Sequence, residues 1–479
     1  MTIKKEPTLL HAAVPLVVLV GLLFANVMVF GAESSDGPNQ TAMLLASSVG
    51  VAIAFGLGYR WFEIERSILV SIHSAMQAML ILMVIGALAG TWLLSGVVPA
   101  MIYYGLQILN PTIFLFASCV ICSIVSLGTG SSWSTVATVG VALLGIGKAL
   151  GISEPVIAGA IISGSYCGDK MSPLSDTTNL APAVAGTNLF THIRYMIYTT
   201  TPSIIITCII FLIWGFALEP SATALQTDLV LESIRRSFNL NPLLMLVPAA
   251  VGWMIVKQKP ALVALFVGAL LGGLFAVIFQ PHVIREVGGE GGFFTSSFVA
   301  VMKAISGTIH ITSSNPMIAD LLTTTGMFGM MNTIWLILCA MIFGGVMESS
   351  GLLKVIADHI IARANSTGSL VASTAATCIF FNFTMADQYM AIAVPGRMYA
   401  DTFRKRGYKP ELLSRTLEDS ATVTSVLVPW NTCGATQAKV LGVSTAAYFP
   451  YCFFCMLMPL MTISYAYLNI KIRRLDDDK

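Results

Sequence analysis

The sequence predicts an all-α polytopic membrane protein with two inverted-topology repeats, broken helices and re-entrant hairpins. Three observations predict it: an apolar composition, apolar runs of membrane-crossing length, and an order of features that occurs twice. Hydrophobic residues make up 56% of the 479 and charged residues only 10%, against about 25% charged in a soluble domain. The mean hydropathy is +0.81. The net charge of +2 and the absence of a basic, aromatic-rich patch argue against a nucleic-acid partner. The partner that this composition implies is the lipid bilayer.

The apolar runs lie at 12–30, 41–59, 76–95, 113–127, 133–147, 155–167, 195–217, 240–256, 261–280, 333–347, 369–383, 385–400, 412–428 and 447–468. A spanning helix needs roughly 20 apolar residues. Four of the runs are too short to cross alone, which predicts about 10–14 membrane segments. The first run follows Lys4 and Lys5. It is long for the apolar core of a signal peptide, so it reads as a first transmembrane helix, although "VFGAESS" would suit a cleavage site. The main loops are the polar interval 219–239 and the glycine-rich interval 281–310. The chain divides into an N-terminal helix and loop (1–40), a first repeat (41–218), connecting loop and helices (219–294), and a second repeat with a basic tail (295–479).

Basic residues set the orientation. Arg397, Arg404, Lys405, Arg406 and Lys409 share one loop, Lys257 and Lys259 close another span, and "KIRRLDDDK" ends the chain. These sites and both termini are expected in the cytoplasm.

The repeat shows when "AGTWLLSGVVPAMI" is laid over "GGVMESSGLLKVIA". Gly90, Ser95 and Gly96 fall on Gly345, Ser350 and Gly351, an offset of 255 (345−90). At that offset Thr129 meets Thr384 and Ser132 meets Asp387. A five-residue slip then aligns Asp169 with Asp419 (419−169 = 250). The loop "GIGKALGISE" has one lysine where its counterpart has five basic residues. By the positive-inside rule the matching loops lie on opposite sides, as in the inverted repeats of secondary transporters.

Four stretches interrupt apolar helices: "SLGTGSSW", "GDKMSPLSDTTNLAP", "NFTMADQY" and "PWNTCGATQ". Non-helical backbone survives at membrane depth only where protein or a water-filled cavity surrounds it. The chain's unusual carboxylates fall in or near these stretches: Asp169 and Asp176 in the first repeat, Asp387 and Asp419 in the second. A charge at mid-membrane costs about 2.5–3.5 kcal/mol on insertion scales, so each must be paired, protonated or coordinating. Hard cations such as sodium prefer oxygen ligands. Thr129, Ser131, Ser132, Ser175, Thr177, Thr178, Asn179, Asn382, Thr384, Asn431 and Thr432 supply them.

Each stretch also has a plainer reading as an extramembrane loop. Asp387 resists it, being flanked by apolar sequence on both sides. Asp419 is weaker, because Glu411, Arg415 and Glu418 precede it and would suit the membrane surface. Glu348 reads as intramembrane or as ending a span. Lys170 reads as a partner for Asp169 or as reaching the interface. The pairs Cys119/Cys122 and Cys452/Cys455 lie in apolar runs and read as small hydrophobes rather than metal or redox sites. No HExxH or nucleophile–base motif suggests an enzyme.

The segment "GTGSSWSTVATVGVALLGIGKALGISEPVIAGAIISGSYCGDKMSPLSDTTNLAP" resembles the central signature of NhaC-type sodium/proton antiporters, a family within the broader ion-transporter superfamily. The resemblance extends over about residues 40–470. It implies sodium extrusion in exchange for protons, with sodium as substrate and no cofactor, in a bacterial inner membrane and often as a homodimer. It also covers members that exchange malate and sodium for lactate and protons. Within this reading Asp176, with its neighbouring hydroxyls, and the deep Asp387 are expected to carry the exchanged sodium ion and proton. Asp169 is expected to stabilise its hairpin through a charge partner. The arginines Arg60, Arg66, Arg404 and Arg406 lie at apparent membrane edges and none falls in a break, which favours an inorganic cation over a carboxylate.

Overall fold

The computed structural model describes residues 4–30, 34, 36–108, 110–217, 223–257, 259–312, 322–361 and 364–475. Every apolar run is helical along most of its length. Helices Leu9–Phe30, Pro38–Gly56, Trp61–Leu94, Pro111–Thr129, Leu189–Ala217 and Ala261–Phe279, together with Phe328–Ser349, are long and apolar enough to cross a membrane. The bent pairs Leu229–Ser237 with Pro242–Ile255 (93°) and Thr445–Tyr451 with Phe453–Tyr467 (58°) raise the count from seven to nine. This is below the expected 10–14. The shortfall lies in the broken segments, whose helices are short or rich in hydroxyl, glycine and charged residues. Trp61–Leu94 starts well before its apolar run, with Glu63, Glu65 and Arg66 in its first turns. Its 34 residues give a length of about 51 Å, more than the roughly 30 Å hydrocarbon layer.

The two intervals expected as main loops contain helices. Thr223–Ser237 occupies most of 219–239. Pro281–Gly288 and Phe293–Ser306 occupy most of 281–310 and pack on one another. The cause is local: Pro281 starts one helix at its first position, where its missing N–H costs nothing, and Val283 and Ile284 bury the inner face. Ile309–His310 pairs antiparallel with Thr323–Thr324, a contact that hydropathy does not announce.

The repeated order is visible in the caps. Trp61–Leu94 ends at Ser95 and Gly96 (φ +74), and Met331–Ser349 ends at Ser350 and Gly351 (φ +71). Gly130 (φ +66) ends Pro111–Thr129, and Ala386 (φ +54), 256 positions later (386−130), follows Thr367–Thr384. Ser131 and Asp387 then cap the next helices in extended conformation. Further on, Ser175 and Asn431 cap helices Asp176–Ala185 and Thr432–Leu441, which close at Gly186 and Gly442. Both pairs are again 256 apart (431−175 and 442−186), so the slip aligning Asp169 with Asp419 is taken back after the turn.

Helices Pro111–Thr129 and Glu154–Met171 pack along each other. A Cβ on Gly164 would sit 2.1 Å from the Cys119 carbonyl oxygen, and one on Gly168 would sit 2.2 Å from that of Ser123. Only glycine permits this backbone-to-backbone approach. Both Cys-x-x-Cys pairs are buried and free, in keeping with their reading as small hydrophobes.

Candidate ion-binding site

Two breaks of the first repeat meet at their tips. A Cβ on Gly130 would approach the Leu174 Cβ to 2.6 Å. Leu174 lies in the turn that separates Glu154–Met171 from Asp176–Ala185. Asp169, buried in the last turn of the former helix, accepts two hydrogen bonds at Oδ2. They come from the Ser132 backbone N–H (3.0 Å) and hydroxyl (2.7 Å). The turn is tied by Asn179, whose amide donates to the carbonyls of Pro173 (2.9 Å) and Ser175 (2.8 Å). Thr178 donates to the Lys170 carbonyl (3.0 Å), and the Ser175 and Thr177 hydroxyls lie 3.1 Å apart. Thr129 is within 3.4 Å of the Ser131 carbonyl and 3.3 Å of the Thr135 hydroxyl. Ser131 caps helix Ser132–Thr135 by accepting from the Ser134 N–H.

The second repeat is closed in the same manner. The Ala386 carbonyl accepts from the Thr432 N–H (2.8 Å). Asn431 donates to the Asn382 carbonyl (3.1 Å), and Asn382 donates to the Ala421 carbonyl (2.7 Å) and the Thr424 hydroxyl (3.0 Å). Thr384 turns back to the Phe380 carbonyl (2.9 Å). Asp387 is 1% exposed and accepts from the Met390 N–H (3.0 Å) as the cap of helix Gln388–Lys405. Among the described residues it takes part in no ion pair.

Several contacts join the halves. Lys170 donates to Asp419 Oδ1, both side chains being wholly buried. Helix Asp176–Ala185 packs against Gln388–Lys405 and Pro410–Leu417. Tyr389 follows Asp387 in the first turn of Gln388–Lys405 and is half-buried. Asp176 differs from the others in being exposed on the first turn of its helix.

Sequence reasoning put Asp176 and Asp387 at the exchange site and gave Asp169 a role in stabilising its hairpin. It gave Asp169 the wrong holder: serine holds it, and Lys170 reaches instead to Asp419. It also read Arg415 and Glu418 as surface markers, whereas both are 0% exposed. The Arg415 guanidinium lies 4.4 Å from the centre of the Tyr195 ring, and none of its nitrogens has a hydrogen-bond partner. Tyr389, beside Asp387 in "MADQY", went unnoticed because an aromatic at helical spacing ordinarily means packing. Glu348 is half-buried in the last turn of Met331–Ser349. Among the described residues, no three His, Cys, Asp or Glu side chains gather as a metal centre. The oxygens present suit a weakly held alkali cation.

Apolar helices with buried carboxylates, hydroxyls and an ammonium at their broken ends define an integral membrane protein of the transporter class. The chain belongs to the Na+/H+ antiporter family, whose family model matches residues 4–178 and 164–470. It is 34% identical to the Na+/H+ antiporter NhaC of Alkalihalophilus pseudofirmus over 98% of this chain and 97% of that one. It is also 34% identical to the malate-2H+/Na+-lactate antiporter of Bacillus subtilis over 94% of each chain. To the arginine/ornithine antiporter ArcD of Halobacterium salinarum it is 31% identical, over 99% of this chain and 95% of that one. Antiport is common to the three names, and the cargo is not.

Proposed function

We propose that the chain exchanges sodium for protons across a bacterial inner membrane by alternating access of two inverted-topology repeats, with both termini in the cytoplasm. The observation that carries this reading is Asp387, a buried carboxylate at a broken helix with no cationic partner. A proton or an alkali cation neutralises a carboxylate so placed, and these are the two states between which an exchanger alternates.

Asp176 and Asp387 take the exchanged sodium and proton. Thr129, Ser131, Ser132, Thr177 and Asn179 supply neutral oxygens, and Ser175, Asn382, Thr384, Asn431 and Thr432 line the approach. Asp169 and Asp419 hold the breaks in place through Ser132 and Lys170. Re-entrant hairpins are the reading that the paired caps and short helices support. Sodium is substrate, no cofactor takes part, and the unit is a homodimer. Residues 41–218 and 295–479 form the two transport repeats, joined through 219–294.

One observation favours a second reading, a sodium-coupled exchanger of malate- or lactate-type carboxylates. Arg415, fully buried with free guanidinium nitrogens, is the cation that a carboxylate would seek. The test is transport in proteoliposomes with an imposed sodium gradient and an internal pH dye, with and without malate and lactate. Proton flux driven by sodium alone supports the first reading. Flux that appears only with an organic acid supports the second.

A further inference from the structure

Glu418 opens a five-residue π-helical turn, Glu418–Thr422, between helices Pro410–Leu417 and Val423–Ser425. Such turns are rare and are frequent at functional sites. The Glu418 side chain is 0% exposed and neither carboxylate oxygen has a hydrogen-bond partner. Two more buried oxygens nearby in the chain are equally free: Asp419 Oδ2 and Thr422 Oγ1. Helix Asp176–Ala185 packs on this turn, and Lys170 reaches Asp419 within it.

The charges around this turn can be counted element by element. Helix Glu154–Met171 brings Lys170 and Asp169, and Asp169 is held by Ser132. Helix Pro410–Leu417 brings Glu411, which pairs with Arg473 (3.2 Å), and Arg415, which lies over Tyr195 and forms no ion pair. Asp176 is exposed, as are Arg397, Asp401, Arg404 and Lys405 of Gln388–Lys405, whose capping residue is Asp387. Thr367–Thr384, Val423–Ser425 and Phe453–Tyr467 carry no charged residue. His192 sits a helix away, bonded to Ser414 (2.8 Å). One ammonium therefore serves two adjacent carboxylates, Asp419 and Glu418, and it touches only the first.

We propose that Glu418, with Asp419 Oδ2 and Thr422 Oγ1, forms a second binding site for a monovalent alkali cation, apart from the Asp176–Asp387 pair. Lys170, Asp419 and Glu418 together carry one net negative charge. A monovalent cation brings that to zero, whereas a divalent one leaves a buried positive charge, which is costly. Carboxylate and hydroxyl oxygens are the ligands that a hard cation takes. The inference rests on sodium being a substrate of this chain, not on the assignment of Asp176 and Asp387.

The test is equilibrium binding of radiolabelled sodium to the purified full chain in detergent, comparing wild type, Asp387→Asn, Glu418→Gln and Thr422→Val. The expected result is two sodium ions per wild-type chain and one each for Asp387→Asn and Glu418→Gln. Thr422→Val should retain both sites and weaken one by about tenfold, the effect of losing roughly 1.4 kcal/mol. Size-exclusion chromatography checks that each variant stays monodisperse. Should Glu418→Gln fail to fold, the affinity of Thr422→Val decides. Sodium bound by Glu418→Gln, or by Thr422→Val in that event, with wild-type number and affinity would overturn the inference. One wild-type sodium ion, lost in Glu418→Gln and kept in Asp387→Asn, would uphold it and refute the Asp387 assignment. A wild-type chain that binds no sodium would overturn both.

Discussion

Lys170 and Asp419 form an ion pair across 249 positions of sequence, and neither side chain has any exposed surface. The pair fastens the first repeat's broken helix to the second's. Removing one partner of a buried pair leaves the other charged and unsolvated, at about 3–5 kcal/mol. Lys170→Met and Asp419→Leu should each lower the thermal unfolding midpoint in detergent. The double variant should regain most of the loss, since apolar replacement of a whole pair is often neutral. A double variant no more stable than either single one would mean that the pair is not energetically coupled.

Asp176→Asn and Asp387→Asn should each abolish sodium-driven proton flux in protein that remains monodisperse. Asparagine caps a helix about as well as aspartate, so the cap on Gln388–Lys405 survives the second change. Near-normal flux with both neutralised would show that these carboxylates are not the exchange pair.

Asp169→Asn should act on stability and expression before it acts on ion selectivity. It weakens two hydrogen bonds from Ser132 to a charged acceptor, each worth about 1.5–3 kcal/mol. Unfolding midpoints read the loss, and an unchanged midpoint with abolished flux would move Asp169 into the exchange site.

Ala386 holds a left-handed backbone conformation where the first repeat has Gly130. That conformation costs an L-residue roughly 1–2 kcal/mol. Ala386→Gly should therefore raise stability by a little under that amount. Gly130→Ala should lower it further than backbone strain alone, because the new methyl would meet Leu174. Thermal melts of the two variants should move in opposite directions.

The turns that follow helices Val141–Ala149 and Gln388–Lys405 should face opposite sides of the membrane. Cysteine placed at Ser153 and at Lys405, both exposed, can be labelled with a membrane-impermeant maleimide in oriented vesicles. Labelling of both from one side would remove the inverted repeat.

The broken helices were legible because glycine, proline and hydroxyl residues stand out within apolar sequence. Asp387 was legible for the same reason. Glu418 and Arg415 were not. They fall in a stretch with Glu411 and Asp419, and such a run of charge has the hydropathy of a membrane surface. It is met by Lys170, Tyr195 and His192 of the other half, which pattern along the chain cannot bring together. The offset between Asp169 and Asp419 was readable, whereas the ammonium joining the two segments was assigned to the wrong carboxylate. Adjacency in sequence suggested Asp169, but the lysine side chain extends across to the other repeat.

Gly164 and Gly168 set Glu154–Met171 directly on the carbonyls of Pro111–Thr129. With no side chain between them, the two rods have no lubricating layer over which to slide. Asp169, next to Gly168, is bonded directly to Ser132 beyond the end of the other rod, so the seam and this bond secure the same end of the pair. A seam this close favours movement of the two helices as one piece.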